Sequence, residues 1–254
     1  DTSGYLFVTT LTSGLHFYNI KQQQAVSKPY FIDDNKQIFD GYIQSLVTDD
    51  EENVFMGAQD RLIMWNRLTG KTIYIPCIIA DGTNVSGNET IRAVRKDEDG
   101  RLWVGTTRYG ILILDKNFKT IAQISDSVNG KSSGLPLSSI NAFCSDDKGN
   151  TWIATFRGIC FINNKTFSVT SLKGHPILDK LSSIPCEIIW KDDSGKLWFG
   201  TTRGVWCYDE QNNVLIDYST KYGLPNELIY DINQDKLGNI YIASVSGLSI
   251  LQPD

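Results

Sequence analysis

A ten-residue pattern returns six times along this chain: Asp, two variable residues, usually Gly, one residue, an apolar residue, an aromatic, an apolar residue and two small ones. Its copies start at Asp1, Asp49, Asp97, Asp146, Asp192 and Asp235, so successive starts lie 43 to 49 residues apart. The aromatic is present every time, as Phe7, Phe55, Trp103, Trp152, Trp198 and Tyr241. A period of this length marks an array of like units, each too small to bury its own apolar faces alone.

The chemistry of the pattern is that of a hairpin. Asp at the first position and Gly at the fourth suit a type I turn followed by a left-handed residue. Asp accepts hydrogen bonds from its own turn, and Gly takes positive φ without a Cβ clash. Glu52 stands at the Gly position of the second copy, which predicts a strained or altered turn there. Strand-like runs at 43–47, 91–95, 140–144 and 229–232 precede the turns. The aromatic strand follows, then a turn with Gly14, Gly110, Gly158, Gly204 or Gly247, then a third run such as 111–114 or 205–208. Weaker fourth strands are expected at 72–75, 120–124, 168–172 and 214–218, and no segment holds a helical period over 11 residues.

Four short antiparallel strands per 43–49 residues is the signature of a β-propeller blade. The fold class is therefore all-β, with residues 1–254 forming one propeller domain of six repeats. The aromatics are expected to fill the space between neighbouring sheets. The first copy lacks an inner strand and the last an outer one, leaving 22 strands in an incomplete ring. Those strands, and a seventh blade, are expected in flanking sequence of a larger polypeptide.

Composition narrows the function. The chain is globular in make-up, with 41% hydrophobic and 21% charged residues, and its net charge of -5 includes no basic block. That argues against nucleic acid as a partner. No apolar run approaches the 18 residues of a membrane span, so any attachment to a membrane is expected outside this stretch; the first residues do not read as a signal peptide. Five cysteines without a C-x-x-C pair, and two histidines, His16 and His175, speak against zinc-ribbon, thioredoxin-like and disulfide-framework readings. No metal or cofactor is implied.

The units at 97–107 and 192–204, and the linkers Gly134-Leu135-Pro136 and Tyr222-Gly223-Leu224-Pro225-Asn226, resemble the two-component regulator propeller repeat. The likeness is strong in copies three to six and weaker in one and two; copy two departs most, with Glu52 and Arg61 at its two glycine positions. The resemblance implies a seven-bladed ring in the periplasmic part of a hybrid two-component sensor of gut Bacteroidetes. It further implies a homodimeric sensor, a kinase beyond a membrane span, and an oligosaccharide ligand.

In a propeller, the connectors from strand four to the next inner strand share one face with the turns between strands two and three. Long polar connectors at 80–90, 125–139, 174–185 and 220–227 make that face the expected site. Four of the eight arginines fall in the strand two–three turns: Arg61, Arg108, Arg157 and Arg203. The last three share one repeat position, and together would hold carboxylates or sulfates of an acidic glycan. Each could instead stack on its own blade or pair with a neighbouring carboxylate. Tyr109 and Tyr222 are candidate sugar platforms, and Asn226 a further polar contact.

Catalytic readings are weaker. Residues 145–152 fit the Asp-box of sialidases, but that box needs Asp two residues before Gly, a position held here by Thr2, Asp50, Glu98, Asp147, Asp193 and Lys236. No G-x-S-x-G elbow, phosphate loop or metal-ligand spacing occurs, and the paired acids belong to turns. A glycan-active propeller enzyme, lyase or hydrolase, and a protein-interaction propeller stand as the alternatives.

Overall fold

Each turn from Asp49 onward closes a hairpin between antiparallel strands, in a computed structural model that describes residues 4–9, 15–28, 31–32, 36, 38–128, 131–219 and 223–252. The turn chemistry is local and repeated. Asp146 Oδ1 accepts from the backbone N–H of Lys148 and Asn150 at 2.8 Å each, and Asp192 Oδ1 from Ser194 and Lys196 at 2.9 Å each. The fourth-position glycines Gly100, Gly149, Gly195 and Gly238 have φ between +76° and +88°. Glu52 is forced into the same region at φ +64°, where its carboxylate pairs with Arg67.

The chain divides into two compact units, Asp1–Gln123 and Ile124–Asp254. In the first, blade 1 has three strands, β1 (Tyr5–Thr9), β2 (Leu15–Asn19) and β3 (Gln24–Lys28), followed by the hairpin β4 (Phe31–Ile32) and β5 (Ile38–Phe39). Blade 2 is β6 (Ile43–Thr48), β7 (Asn53–Ala58), β8 (Leu62–Asn66) and β9 (Thr72–Ile75). Blade 3 is β10 (Ile91–Lys96), β11 (Leu102–Thr106), β12 (Ile111–Leu114) and β13 (Thr120–Ile124).

The second unit opens with the hairpin β14 (Ser127–Val128) and β15 (Lys131–Ser132). Blade 4 is β16 (Ile140–Ser145), β17 (Asn150–Thr155), β18 (Gly158–Asn163) and β19 (Val169–Ser171). A 3₁₀ turn, Asp179–Ser182, leads to blade 5, β20 (Cys186–Lys191), β21 (Leu197–Thr201), β22 (Gly204–Asp209) and β23 (Val214–Tyr218). Blade 6 has β24 (Ile229–Gln234), β25 (Ile240–Ser244) and β26 (Gly247–Leu251). The six sheets hold the 22 strands that the repeat predicts. The two connector hairpins are additions that the pattern does not announce.

Neighbouring sheets bury their faces against one another. Phe55, Leu62, Met64 and Ile75 of blade 2 meet Ile91, Leu102, Val104 and Leu112 of blade 3. Trp152, Ala154 and Ile159 of blade 4 meet Cys186, Ile189 and Phe199 of blade 5. Each such Val, Leu, Ile, Phe or Met side chain contributes about 1.5–3 kcal/mol when fully buried.

The repeat aromatics also tie each blade to its turn. The indole Nε1 donates to the turn Asp Oδ2 from Trp152 to Asp146 at 3.1 Å and from Trp198 to Asp192 at 2.8 Å; the Tyr241 hydroxyl donates to Asp235 at 3.0 Å. Adjacent blades are stapled on this turn face by the residue before the turn Asp. Lys191 Nζ reaches Asp147 at 2.5 Å, and Gln234 Oε1 accepts from the Asp193 N–H at 3.0 Å.

Candidate functional site

The opposite face is built from connectors laid across the strand two–three turns, as the propeller reading expects. In the first unit, Thr90 Oγ1 donates to the Gln59 carbonyl at 3.1 Å, and Gly87 N donates to Asp60 O. In the second, Thr202 N donates to Pro185 O at 3.1 Å, Gly204 N to Glu227 O at 2.8 Å, and Val245 N to Leu228 O at 3.3 Å. Gly158 has φ +126°, and a Cβ there would collide with the Ser182 carbonyl of the crossing connector. The connectors at 80–90, 174–185 and 220–227 thus each tie to the turns of the two blades they join, which pins this end of the blades within each unit.

A threonine hydroxyl at one repeat position places two of the candidate arginines. Thr155 Oγ1 accepts from Arg157 N at 3.1 Å and donates to Gly158 O at 2.8 Å. Thr201 Oγ1 accepts from Arg203 N at 3.0 Å and donates to Gly204 O at 2.7 Å. Arg157 and Arg203 are exposed, and neither guanidinium has a partner among the described residues. They hold one repeat position in two neighbouring blades of the second unit. Blade 3 uses Thr106 in the same way, but for Tyr109 N at 2.9 Å, because its turn is longer.

Arg108 is engaged differently. Its Nε donates to Glu89 Oε2 at 3.0 Å, Nη2 to the Asn88 carbonyl, and Cζ lies 5.8 Å from the centroid of the Tyr109 ring. Glu89 is fully buried and spends its carboxylate on one turn, accepting from Thr107 N at 2.5 Å, the Thr107 hydroxyl and Arg108 N at 3.1 Å. The Glu89 hydrogen bond raises the Arg108 pKa further. The Arg108 side chain nonetheless remains 60% exposed. Tyr109 is half-buried against the core between blades 2 and 3.

Arg61 has the least freedom of the four. Its Nε and Nη2 form a bidentate pair with Asp60 at 2.8 and 2.6 Å, and its Cζ lies 4.8 Å from the Tyr74 ring centroid and 5.3 Å from that of Phe39. Asn226 Oδ1 accepts from Leu228 N at 2.9 Å, and its Nδ2 donates to Ser246 Oγ at 3.2 Å, which joins the connector to the blade 6 turn. Tyr222 lies outside the described residues.

Sequence reasoning missed a second series. In all five inner strands the register shifts at the second residue, leaving Gln44, Arg92, Asn141, Glu187 and Tyr230 as bulge residues at the loop-face end. Bulges re-aim side chains. Asn141 Nδ2 crosses to the Cys186 carbonyl of the next blade at 2.8 Å, whereas Tyr230 is exposed. The signal was a polar or aromatic residue directly after the first apolar residue of each run, which simple alternation does not distinguish from an ordinary outward position.

A sequence profile of the family described as Two component regulator propeller matches residues 84–108 and 134–157. Two of its segments match the two-component regulator propeller repeat. The two matched segments are copies three and four, and they end on Arg108 and Arg157. Among solved structures, the extracellular domain assigned to the hybrid two component system BT3049 of B. thetaiotaomicron matches with a TM-score of 0.75 and 21% identity, over 98% of this chain and 32% of that one. The extracellular domain assigned to the one component system BT4673 of the same organism gives 0.77 and 21%, over 99% and 34%. PorZ, a surface component of the type-IX secretion system of Porphyromonas gingivalis, gives 0.74 and 18%, over 98% and 37%. These likenesses establish the fold, and the chain spans about a third of the length of each. No curated protein matches the sequence.

Proposed function

We propose that this chain is part of the sensing ectodomain of a hybrid two-component sensor, held in the periplasm and binding an oligosaccharide on its loop face. The observation that carries the reading is the position on which both family-matched segments end, since in copies three and four it is a loop-face arginine. Two copies of that position in adjacent blades, Arg157 and Arg203, offer uncommitted guanidinium groups on rigid turns, which suits a carboxylated or sulfated sugar. No catalysis is assigned to this chain. Binding would bias the geometry of a homodimer, and through a span elsewhere in the longer protein, a kinase.

A seventh blade belongs to the same proposal. Leu248 and Ile250 of blade 6 are 62% and 55% exposed, whereas Val205 and Cys207 at the equivalent positions of blade 5 are 0% and 2% exposed under blade 6. A further sheet of the same pattern would cover them.

Calorimetry against neutral and acidic oligosaccharides, with each mixture checked for cleavage, tests the function. A saturable acidic hit, recovered intact and weakened about tenfold or more by joint Arg157→Ala and Arg203→Ala substitution, is expected. Silence across the panel overturns the ligand class, and cleaved sugar overturns the non-catalytic reading.

A further inference from the structure

Blade 2 breaks the rule that ties a repeat aromatic to its turn Asp, and the break opens a cleft on the turn face. Phe55 stands where blades 3, 4 and 5 have Trp, and a phenyl ring has no hydrogen to donate to Asp49. Lys96, the staple residue of blade 3, takes the place of the missing indole. Its Nζ lies 2.7 Å from Asp49 Oδ2 and 5.5 Å from the Phe55 ring centroid, with Asn53 Nδ2 3.1 Å from the same oxygen. In blades 4 and 5 the corresponding Lys191 stops at Asp147, one residue beyond the turn Asp, because the Trp152 indole already holds Asp146.

The result is a cavity of about 530 Å³ between blades 2 and 3. Phe55, Met64, Leu102 and Phe118 give it an apolar floor, and the two phenyl rings meet edge to face at 6.2 Å. Phe118 is placed there with φ +62°, a costly setting for a bulky residue. Around the rim, Lys96 is neutralised by Asp49 and Asp99 by Arg101. Glu51 and Glu98 line the cavity, exposed and without side-chain partners among the described residues, against the single ammonium of Lys116.

We propose that this cleft binds a guanidinium group carried on an apolar stem, as in an arginine side chain. The stem would lie on the phenyl floor, the planar cation would stack on a ring face, and its N–H groups would reach the free carboxylates. The site is at the end of blades 2 and 3 opposite Arg61 and Arg108 and does not depend on the sugar-binding proposal.

The chain has two methionines, and they report on it separately. Met64 lines the cleft, while Met56 is fully buried in the core between blades 1 and 2. With ¹³C-methyl methionine, titration of N-acetylarginine amide should shift the Met64 resonance saturably and leave Met56 unmoved. The isosteric but neutral N-acetylcitrulline amide should shift neither. Glu51→Gln with Glu98→Gln, both surface changes, should weaken binding about threefold to tenfold. Phe55→Trp should restore the indole–Asp bond, keep the fold, and reduce binding at least tenfold. Equal shifts with citrulline, unchanged binding in Phe55→Trp, or no saturable Met64 shift with the arginine probe would each overturn the proposal.

Discussion

The indole Nε1 of Trp103 donates to Asp97 Oδ2 at 2.9 Å, so a fully buried side chain also anchors the turn that begins its own strand. The same oxygen accepts from Arg101 Nε at 2.7 Å. Packing and turn geometry are thereby one interaction, repeated with Trp or Tyr in four blades.

Trp103→Phe is expected to cost about 2–3 kcal/mol, combining a lost hydrogen bond to a charged acceptor with a small cavity. Urea unfolding monitored by circular dichroism would measure it. A change under 0.5 kcal/mol would mean that Arg101 alone satisfies Asp97.

Acid should destabilise the protein through the turn carboxylates. Burial pushes Asp97 upward, but donation from Trp103 and Arg101 outweighs it; at Asp49 burial is likewise outweighed, by Lys96 and Asn53. Both end below the ordinary 3.8. A folded pKa below the unfolded one means that the stabilisation is complete above 3.8 and is lost as pH falls through the folded values. Melting temperature should therefore drop below about pH 4, and Asp97→Asn should flatten that acid limb.

The native thiols should be inert. Burial pushes Cys77 and Cys207 up to about 12, and raises Cys160 and Cys186 as well. Iodoacetamide at pH 8 should spare all four in the folded protein and label them in urea, with any native labelling falling on half-buried Cys144. Mass spectrometry of the digested protein would read the pattern.

Gly158→Ala should destabilise by about 2–4 kcal/mol, because the new Cβ meets the Ser182 carbonyl and φ +126° suits only glycine. Thermal melts of this variant beside Gly149→Ala would separate the two causes, since Gly149 has positive φ but open space around it.

Most of the blade architecture was legible because it is local. The Asp turn, the strands on either side and the burial of Trp103, Trp152 and Trp198 follow from residues a few positions apart. The bulges were not legible, since Ile91-Arg92-Ala93 reads as plain alternation until β11 supplies a register against which Arg92 is the extra residue.

Strand order, turn type and the alignment of Arg108, Arg157 and Arg203 at one repeat position were determined by the sequence alone, because hairpin hydrogen bonding and side-chain alternation act over a few residues. Which of those charges stays available was decided by tertiary structure. Glu89 reaches Arg108 from a connector 19 residues away, and Phe39 and Tyr74 converge on Arg61 from separate segments, whereas nothing described reaches Arg157 or Arg203. The cleft beside Phe55 has the same origin. One missing indole is a local fact, but only the approach of Lys96 and Phe118 from the next blade turns it into a cavity with a floor and a charged rim.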